Sequence, residues 1–247
     1  MTLMPKDQGR LIVLWAHPRS RSTAFYRMMQ NRGDFLTVHE PFCTLADKGS
    51  TKLPNGSGGS IVVSNEDELI QSLLQLANDQ PVFLKETCDH RYKAETDMNF
   101  LSNSEHLFIV REPRRTIASH YAMNPDVKCG DIGYENLFRI FASVRKVQQK
   151  QPLVLNADRL AEDPERIVSA FCSQFGLPFS NDQLQWSAHN SRDWSQTQHW
   201  HKTVSQTTGF CSAKGHYQNT VENNQTLREF YEYHTPFYKA LEEACLQ

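Results

Sequence analysis

Apolar residues fall into short continuous runs, separated by stretches in which they recur every three or four positions. Leu11-Ile-Val-Leu-Trp15 is one such run. Its length and unbroken apolarity predict a strand buried on both faces, as in a parallel sheet. Val82-Phe-Leu84, Leu107-Phe-Ile-Val110 and Leu153-Val-Leu155 repeat the pattern, and Phe35 to His39 is a shorter candidate. Between these runs the period lengthens. Thr23 to Asn31 predicts a helix closed by Gly33. Asn65-Glu-Asp-Glu68 opens another, with Asn65 as cap and Glu68 in the reciprocal capping position. Leu69, Ile70, Leu73, Leu74 and Ala77 give that helix its apolar face. Pro113 to Met123 starts with proline in its first turn, and Tyr134 to Gln149 turns Leu137, Phe138, Phe141 and Val144 inward. Asp163-Pro164 caps a further helix that Gly176 closes. Gln225 to Gln247 is helical by period, with a break expected near Thr235-Pro236. Thr44 to Ser60 contains Lys-Gly-Ser and Pro-Asn-Gly-Ser-Gly-Gly-Ser and predicts a mobile loop. Ser187 to Asn224 is polar, aromatic and weakly periodic.

Strands thus alternate with helices. This predicts an α/β three-layer sandwich, with a central, mostly parallel sheet of about five strands flanked by helices. No internal repeat and no linker divides residues 1–247, so a single domain is expected.

Composition narrows the function. The chain has 247 residues, 39% hydrophobic and 22% charged, the profile of a soluble globular protein. A formal net charge of -2 gives no basic footprint for nucleic acid. The longest apolar stretches run about five residues, against roughly 20 for a membrane helix. The opening Met1 to Arg10 has no apolar signal core. The six cysteines are scattered and form no CxxC pair, which argues against a zinc site or a disulfide framework. A reducing, cytoplasmic setting is expected. Nothing in the sequence sets an oligomeric state.

The chemistry concentrates in His17-Pro-Arg-Ser-Arg-Ser-Thr23, between the first strand and the first helix. In a parallel sheet this turn lies at the carboxyl edge, where ligands bind. A helix start offers free N–H groups and a positive dipole end, which suit a phosphate. Arg19 and Arg21 add charge, and Ser20, Ser22 and Thr23 add hydroxyls. The same loop also fits a capped helix with solvent-exposed arginines. It lacks the glycines and lysine of GxxxxGK[ST].

Pro18-Arg-Ser-Arg-Ser-Thr23 resembles the 5′-phosphosulfate loop of sulfotransferases that use PAPS (3′-phosphoadenosine-5′-phosphosulfate). Arg111-Glu-Pro-Arg-Arg-Thr-Ile-Ala-Ser119 is similar to the family's 3′-phosphate motif, an Arg at a strand end followed by Pro and then by a Ser eight positions after the Arg. Asn156 to Ile167 and Phe175-Gly-Leu-Pro178 resemble a third family segment. The three stretches occur in family order over roughly residues 11–186. Arg21 departs from the pattern, because glycine often stands there.

The resemblance implies a P-loop-like fold and a sulfotransferase moving a sulfuryl group from PAPS to a hydroxyl or amine of a small-molecule acceptor, with release of PAP (adenosine 3′,5′-bisphosphate). Its nucleotide-binding elements would be residues 11–33, 106–123 and 190–215. Arg19 would stabilise the leaving oxygen. Ser20, Arg21, Ser22 and Thr23 would hold the 5′-phosphate, and Arg111 and Ser119 the 3′-phosphate. Lys202, Thr208 and Gly209 fall in the family's closing segment and would contact the nucleotide. No metal is required.

An alcohol acceptor needs a general base. Glu40, in His39-Glu-Pro-Phe42, and His90, in Lys85-Glu-Thr-Cys-Asp-His90, both follow strands on the ligand edge. Glu40 is the first choice and His90 the second. His39 fits a structural hydrogen bond better than catalysis, and Lys85 could line the acceptor pocket. The alternatives are a P-loop-type nucleotide kinase and a non-catalytic PAP or nucleotide-binding protein.

Overall fold

The computed structural model describes residues 9–55, 58–188, 205–211 and 215–246. In chain order these hold β1 (Leu11–Ala16), α1 (Ser22–Arg32), β2 (Leu36–His39), α2 (Pro41–Lys48), β3 (Thr51–Pro54), β4 (Ser60–Val63), α3 (Glu66–Asp79), β5 (Val82–Thr87), α4 (Met98–Ser102) and β6 (Glu105–Val110). They continue with α5 (Pro113–Met123), α6 (Tyr134–Gln148), β7 (Leu153–Asn156), α7 (Ala157–Glu162), α8 (Pro164–Gln174) and α9 (Gln225–Glu242). The central sheet has the order β2-β5-β1-β6-β7, and all its pairings are parallel.

Alternating side chains of each strand feed two different cores. Leu11, Val13 and Trp15 of β1 pack with the apolar faces of α3, α5, α6 and α9. Ile12, Leu14 and Ala16 pack on the other side with Phe25, Tyr26, Met28 and Met29 of α1 and with Ile167, Val168 and Phe171 of α8. Both faces of β1 are therefore covered, which is why its sequence shows no polar alternation. Burial of each such large side chain stabilises the fold by about 1.5–3 kcal/mol.

The caps act as the sequence predicts. Asn65 accepts from the Glu68 N–H at 2.9 Å, and Asp163 accepts from the Arg166 N–H ahead of Pro164. Glu112 caps α5 by accepting from the Arg114 and Arg115 N–H groups. On α3, Leu76 is buried where Leu74 was expected, and Leu74 is partly buried at the core's edge.

Two expectations fail. Most of the supposed mobile loop Thr44 to Ser60 is structured: α2 runs through Lys48, and β3 pairs antiparallel with β4. Pro41 starts α2, Phe42 and Leu45 bury its inner side, and Leu53 and Val63 anchor the hairpin. These anchors are too few to give a periodic signal amid the Gly and Ser. The break at Thr235-Pro236 is absent, and α9 continues through Pro236. Proline removes one helix hydrogen bond. Leu227, Tyr238 and Leu241 hold the helix on the core all the same, and the Thr235 hydroxyl donates to the Tyr231 carbonyl at 2.6 Å.

Candidate active site

The parallel register places five chain exits along one edge. His39 pairs with Lys85, Ala16 with Thr87 and Ile109, and Val110 with Asn156. The segments that follow (Glu40, Thr87 to His90, His17 to Thr23, Arg111 to Pro113 and Ala157-Asp158) line or border one cavity of about 620 Å³.

The loop after β1 is held in an unusual shape. Arg19 and Arg21 both take left-handed backbone conformations, with φ of 62° and 68°. Side chains other than glycine enter this region at a cost of roughly 1–3 kcal/mol, and such residues cluster at ligand sites. Left-handed residues in a turn aim successive N–H groups to one side, which creates an anion-binding hollow. Glycine enters this conformation without steric cost, which fits the glycine of the resembled family pattern at the Arg21 position. Ser20 is buried on the cavity wall, and its hydroxyl makes no hydrogen bond within the protein. Ser22 and Thr23, at the start of α1, line the same wall.

His17 ties this loop to the end of β6. Its Nε2 accepts from the Arg111 N–H at 3.1 Å, so its Nδ1 carries the proton and donates to the Pro18 carbonyl at 2.9 Å. The ring stacks on Tyr134 at 4.1 Å. Burial first, then Arg111, pushes its pKa down to about 3, so it stays neutral. In the unfolded chain the same group titrates near 6.5. Its contribution is therefore complete above that value and is lost as pH falls toward 3. His17→Gln should be less stable than wild type at pH 7, and the gap should narrow by on the order of 2 kcal/mol by pH 4.5. Thermal unfolding across that range reads this directly.

Arg19 and the Arg111 motif touch. Arg19 Nε donates to Ser119 Oγ at 3.1 Å, and Arg111 Nη1 donates to the Arg19 carbonyl at 3.2 Å. Asp158, in the first turn of α7, balances this cationic group. It lies 3.6 Å from Arg21, 3.8 Å from Arg111 and 2.9 Å from Arg115. A second hollow of about 340 Å³ adjoins the site, lined by Arg21, Arg111, Arg114, Arg115 and Tyr217 among others. This end of the site is built for anions.

The β2–β5 end differs. Glu40, itself at φ 47°, ion-pairs with Lys85. Glu86 fixes its backbone by accepting from the N–H groups of Phe42 at 2.7 Å and Thr87 at 2.9 Å, which caps α2 from the neighbouring strand. Burial, then Glu40, raises the Glu86 pKa well above the usual carboxylate range. Burial, then Glu40, also pushes Asp89 up to about 7. His90 sits exposed on the rim, 2.9 Å from Asp47. Cys43, Asp47 and His90 bring three donor atoms within 4.8 Å of one another, close enough to hold a metal ion. Hydrogen bonds already join them, since the Cys43 thiol donates to Asp47 and Asp47 meets His90.

The family model for a sulfotransferase domain matches residues 10–245. The chain belongs to this family. Among curated proteins it is similar to the branched-chain-amino-acid aminotransferase-like protein 1 of Arabidopsis thaliana, 24% identical over 213 residues. That match covers 84% of this chain but 38% of the relative, so the chain spans well under half of the relative's length. In fold it is similar to the sulfotransferase domain from the curacin biosynthetic pathway, at TM-score 0.51 and 11% identity, covering 93% of this chain and 98% of that one. It is likewise similar to the sulfotransferase domain of the Synechococcus PCC 7002 olefin synthase, at TM-score 0.50 and 12% identity, covering 94% and 97%.

Within this sulfotransferase domain, Arg19 to Thr23, Glu40, His90, Arg111, Ser119 and Gly209 all line the main cavity. Thr208 does not. Its side chain is exposed, its carbonyl accepts from the Trp186 N–H at 3.0 Å, and Thr207 lines the wall instead. Arg27 docks this segment on α1 by donating to the carbonyls of Ser187 and Thr207. Trp186 is a packing residue, buried against Phe210. Lys202, Trp194 and Trp200 lie outside the described residues. Among the described residues no helix is long and apolar enough to cross a membrane.

Sequence reasoning missed His120, Asp158 and Tyr217. His120 is buried on the cavity wall, and burial, then Arg19, pushes its pKa down to about 4. Asp158 carried one usable signal, a carboxylate two residues past a strand on the ligand edge. Tyr217 carried none.

Proposed function

We propose that the protein transfers a sulfuryl group from PAPS to a hydroxyl of a small-molecule acceptor by in-line displacement and releases PAP. The observation that carries this is the convergence of two phosphate-type motifs, Pro18 to Thr23 and Arg111 to Ser119, on one cavity through Arg19, Ser119 and Arg111. The donor set fits the nucleotide: three guanidinium groups, a buried unbonded Ser20 hydroxyl and a helix start face the cavity.

The acceptor oxygen attacks sulfur as the bond from sulfur to the 5′-phosphate oxygen breaks. The bonding pair leaves on that oxygen, and the acceptor proton passes to Glu40. Arg19 offsets the charge that grows on the leaving oxygen. Lys85, against Glu40, orients the carboxylate. Ser20, Arg21, Ser22 and Thr23 hold the 5′-phosphate, and Arg111 and Ser119 hold the 3′-phosphate. None of these steps requires a metal.

PAP should raise the melting temperature by several degrees at saturation, because it binds only the folded state. AMP, which lacks the 3′-phosphate, should raise it much less. Differential scanning fluorimetry without divalent ions is the test, and equal shifts for both nucleotides would remove the 3′-phosphate assignment.

A further inference from the structure

We propose that the acceptor carries a positively charged nitrogen besides the hydroxyl that takes the sulfuryl group, and that Asp89 and Thr87 receive this nitrogen. The inference rests on the sulfuryl-transfer reading and names the class of acceptor.

The sheet order divides the cavity. The arginine-rich half lies over β1, β6 and β7, where both phosphate motifs exit. The remaining half lies over β5 and β2 and faces Arg19 from the other side. Its walls carry Glu40, Asp47 and Asp89. Among the described residues Lys85 is the only lysine or arginine lining that half.

Two of these carboxylates are ion-paired: Glu40 meets Lys85, and Asp47 meets His90. Asp89 differs, because its Oδ1 is buried without a hydrogen bond inside the protein and the side chain that bonds its carboxylate is the neighbouring Thr87. The Thr87 hydroxyl, on a residue 7% exposed, is buried two positions away and has no partner other than Asp89. Both residues line the cavity.

Buried polar groups normally use several of their hydrogen-bonding positions, and a carboxylate and a hydroxyl that have only each other on a cavity wall point to a ligand. An ammonium group offers three donors and no acceptor, so one group can satisfy both oxygens. A neutral alcohol brings a single hydroxyl donor, already committed to Glu40. A carboxylate-bearing acceptor would add a negative charge beside Glu40 and Asp47. The cationic nitrogen cannot be the nucleophile, because protonation occupies its lone pair. The hydroxyl oxygen therefore attacks sulfur and the nitrogen leaves the reaction unchanged.

The test uses straight-chain amino alcohols of three to six carbons, with matched n-alkanols and ω-hydroxy acids. Binding is read as a thermal shift of the PAP-loaded protein, and transfer with ³⁵S-labelled PAPS. The amino alcohols should exceed the alkanols in kcat/KM by about tenfold or more, the scale of one hydrogen bond to a charged group, and the hydroxy acids should be poorest. Asp89→Asn should lower kcat/KM for the amino alcohols about tenfold more than for the alkanols. Thr87→Val should move the same ratio in the same direction. A PAP-induced thermal shift in each variant confirms that it folds. Alkanols or hydroxy acids matching the amino alcohols would overturn the inference. So would a preference that survives Asp89→Asn, or amino alcohols that neither bind nor react while PAP still stabilises the protein. Loss of PAP binding in the wild type is a separate result: it removes the donor reading and this inference with it.

Discussion

Arg19→Ala should lower turnover by on the order of 10²- to 10³-fold, the usual effect of removing one oxyanion donor. Negative charge on the leaving oxygen grows as the S–O bond breaks, so an interaction with it is worth more in the transition state than in the ground state. Nucleotide affinity should fall less. The N–H groups of the loop, Ser20, Ser22 and Thr23 remain, and Arg111 keeps its place through His17 and Asp158. Arg19→Lys should recover part of the rate, because the charge returns without the planar fork that reaches Ser119. Arg111→Ala should show the reverse pattern, with weak PAPS binding and near-normal turnover at saturation. Steady-state kinetics with PAPS varied separates the two. If Arg19→Ala changes only the apparent affinity, the leaving-group role moves to Arg21.

Glu40→Gln should cost about 10²-fold or more in turnover, the scale of losing a general base. His90→Asn should cost much less. Glu40 is half-buried and lines the cavity in an ion pair with Lys85, whereas His90 is exposed on the rim and engaged by Asp47. The Glu86 carboxylate supports the same assignment, since its hydrogen bonds to the Phe42 and Thr87 N–H groups fix the strained turn that presents Glu40. PAP affinity should be nearly unchanged in both variants, which distinguishes loss of chemistry from loss of structure. A slow His90→Asn with an intact Glu40→Gln would reverse the roles. Full activity in both would move the proton acceptor to His120, the buried imidazole on the same wall.

The elements that sequence reading recovers are those whose signals are local. Strands such as Leu107 to Val110 show as apolar runs, and caps such as Asn65 and Asp163 act on N–H groups only three positions away. α2 and its hairpin were lost because eight helical residues with only Pro41, Phe42 and Leu45 buried make too weak a periodic signal among glycines and serines. The supposed break in α9 was misjudged for a related reason. A proline is a local signal, but the packing of Leu227, Tyr238 and Leu241 that overrides it is not.

The site divides in the same way. The sequence by itself determined an alternating α/β chain, a phosphate-type loop at Pro18 to Thr23 and a second motif at Arg111 to Ser119. Each is a contiguous pattern that a strand end and a helix start convert into a site. Only the tertiary structure decided that these motifs meet, because Arg19 and Ser119 are 100 residues apart and touch only through the pairing of β1 with β6. It alone brought Asp158 between the arginines, set His17 as the buried neutral link between two loops, and gave the cavity one cationic and one anionic end. The physical reason is that helix and strand propensities act over a few residues. The charge and hydrogen-bonding of a site depend instead on which strand ends the sheet order places side by side.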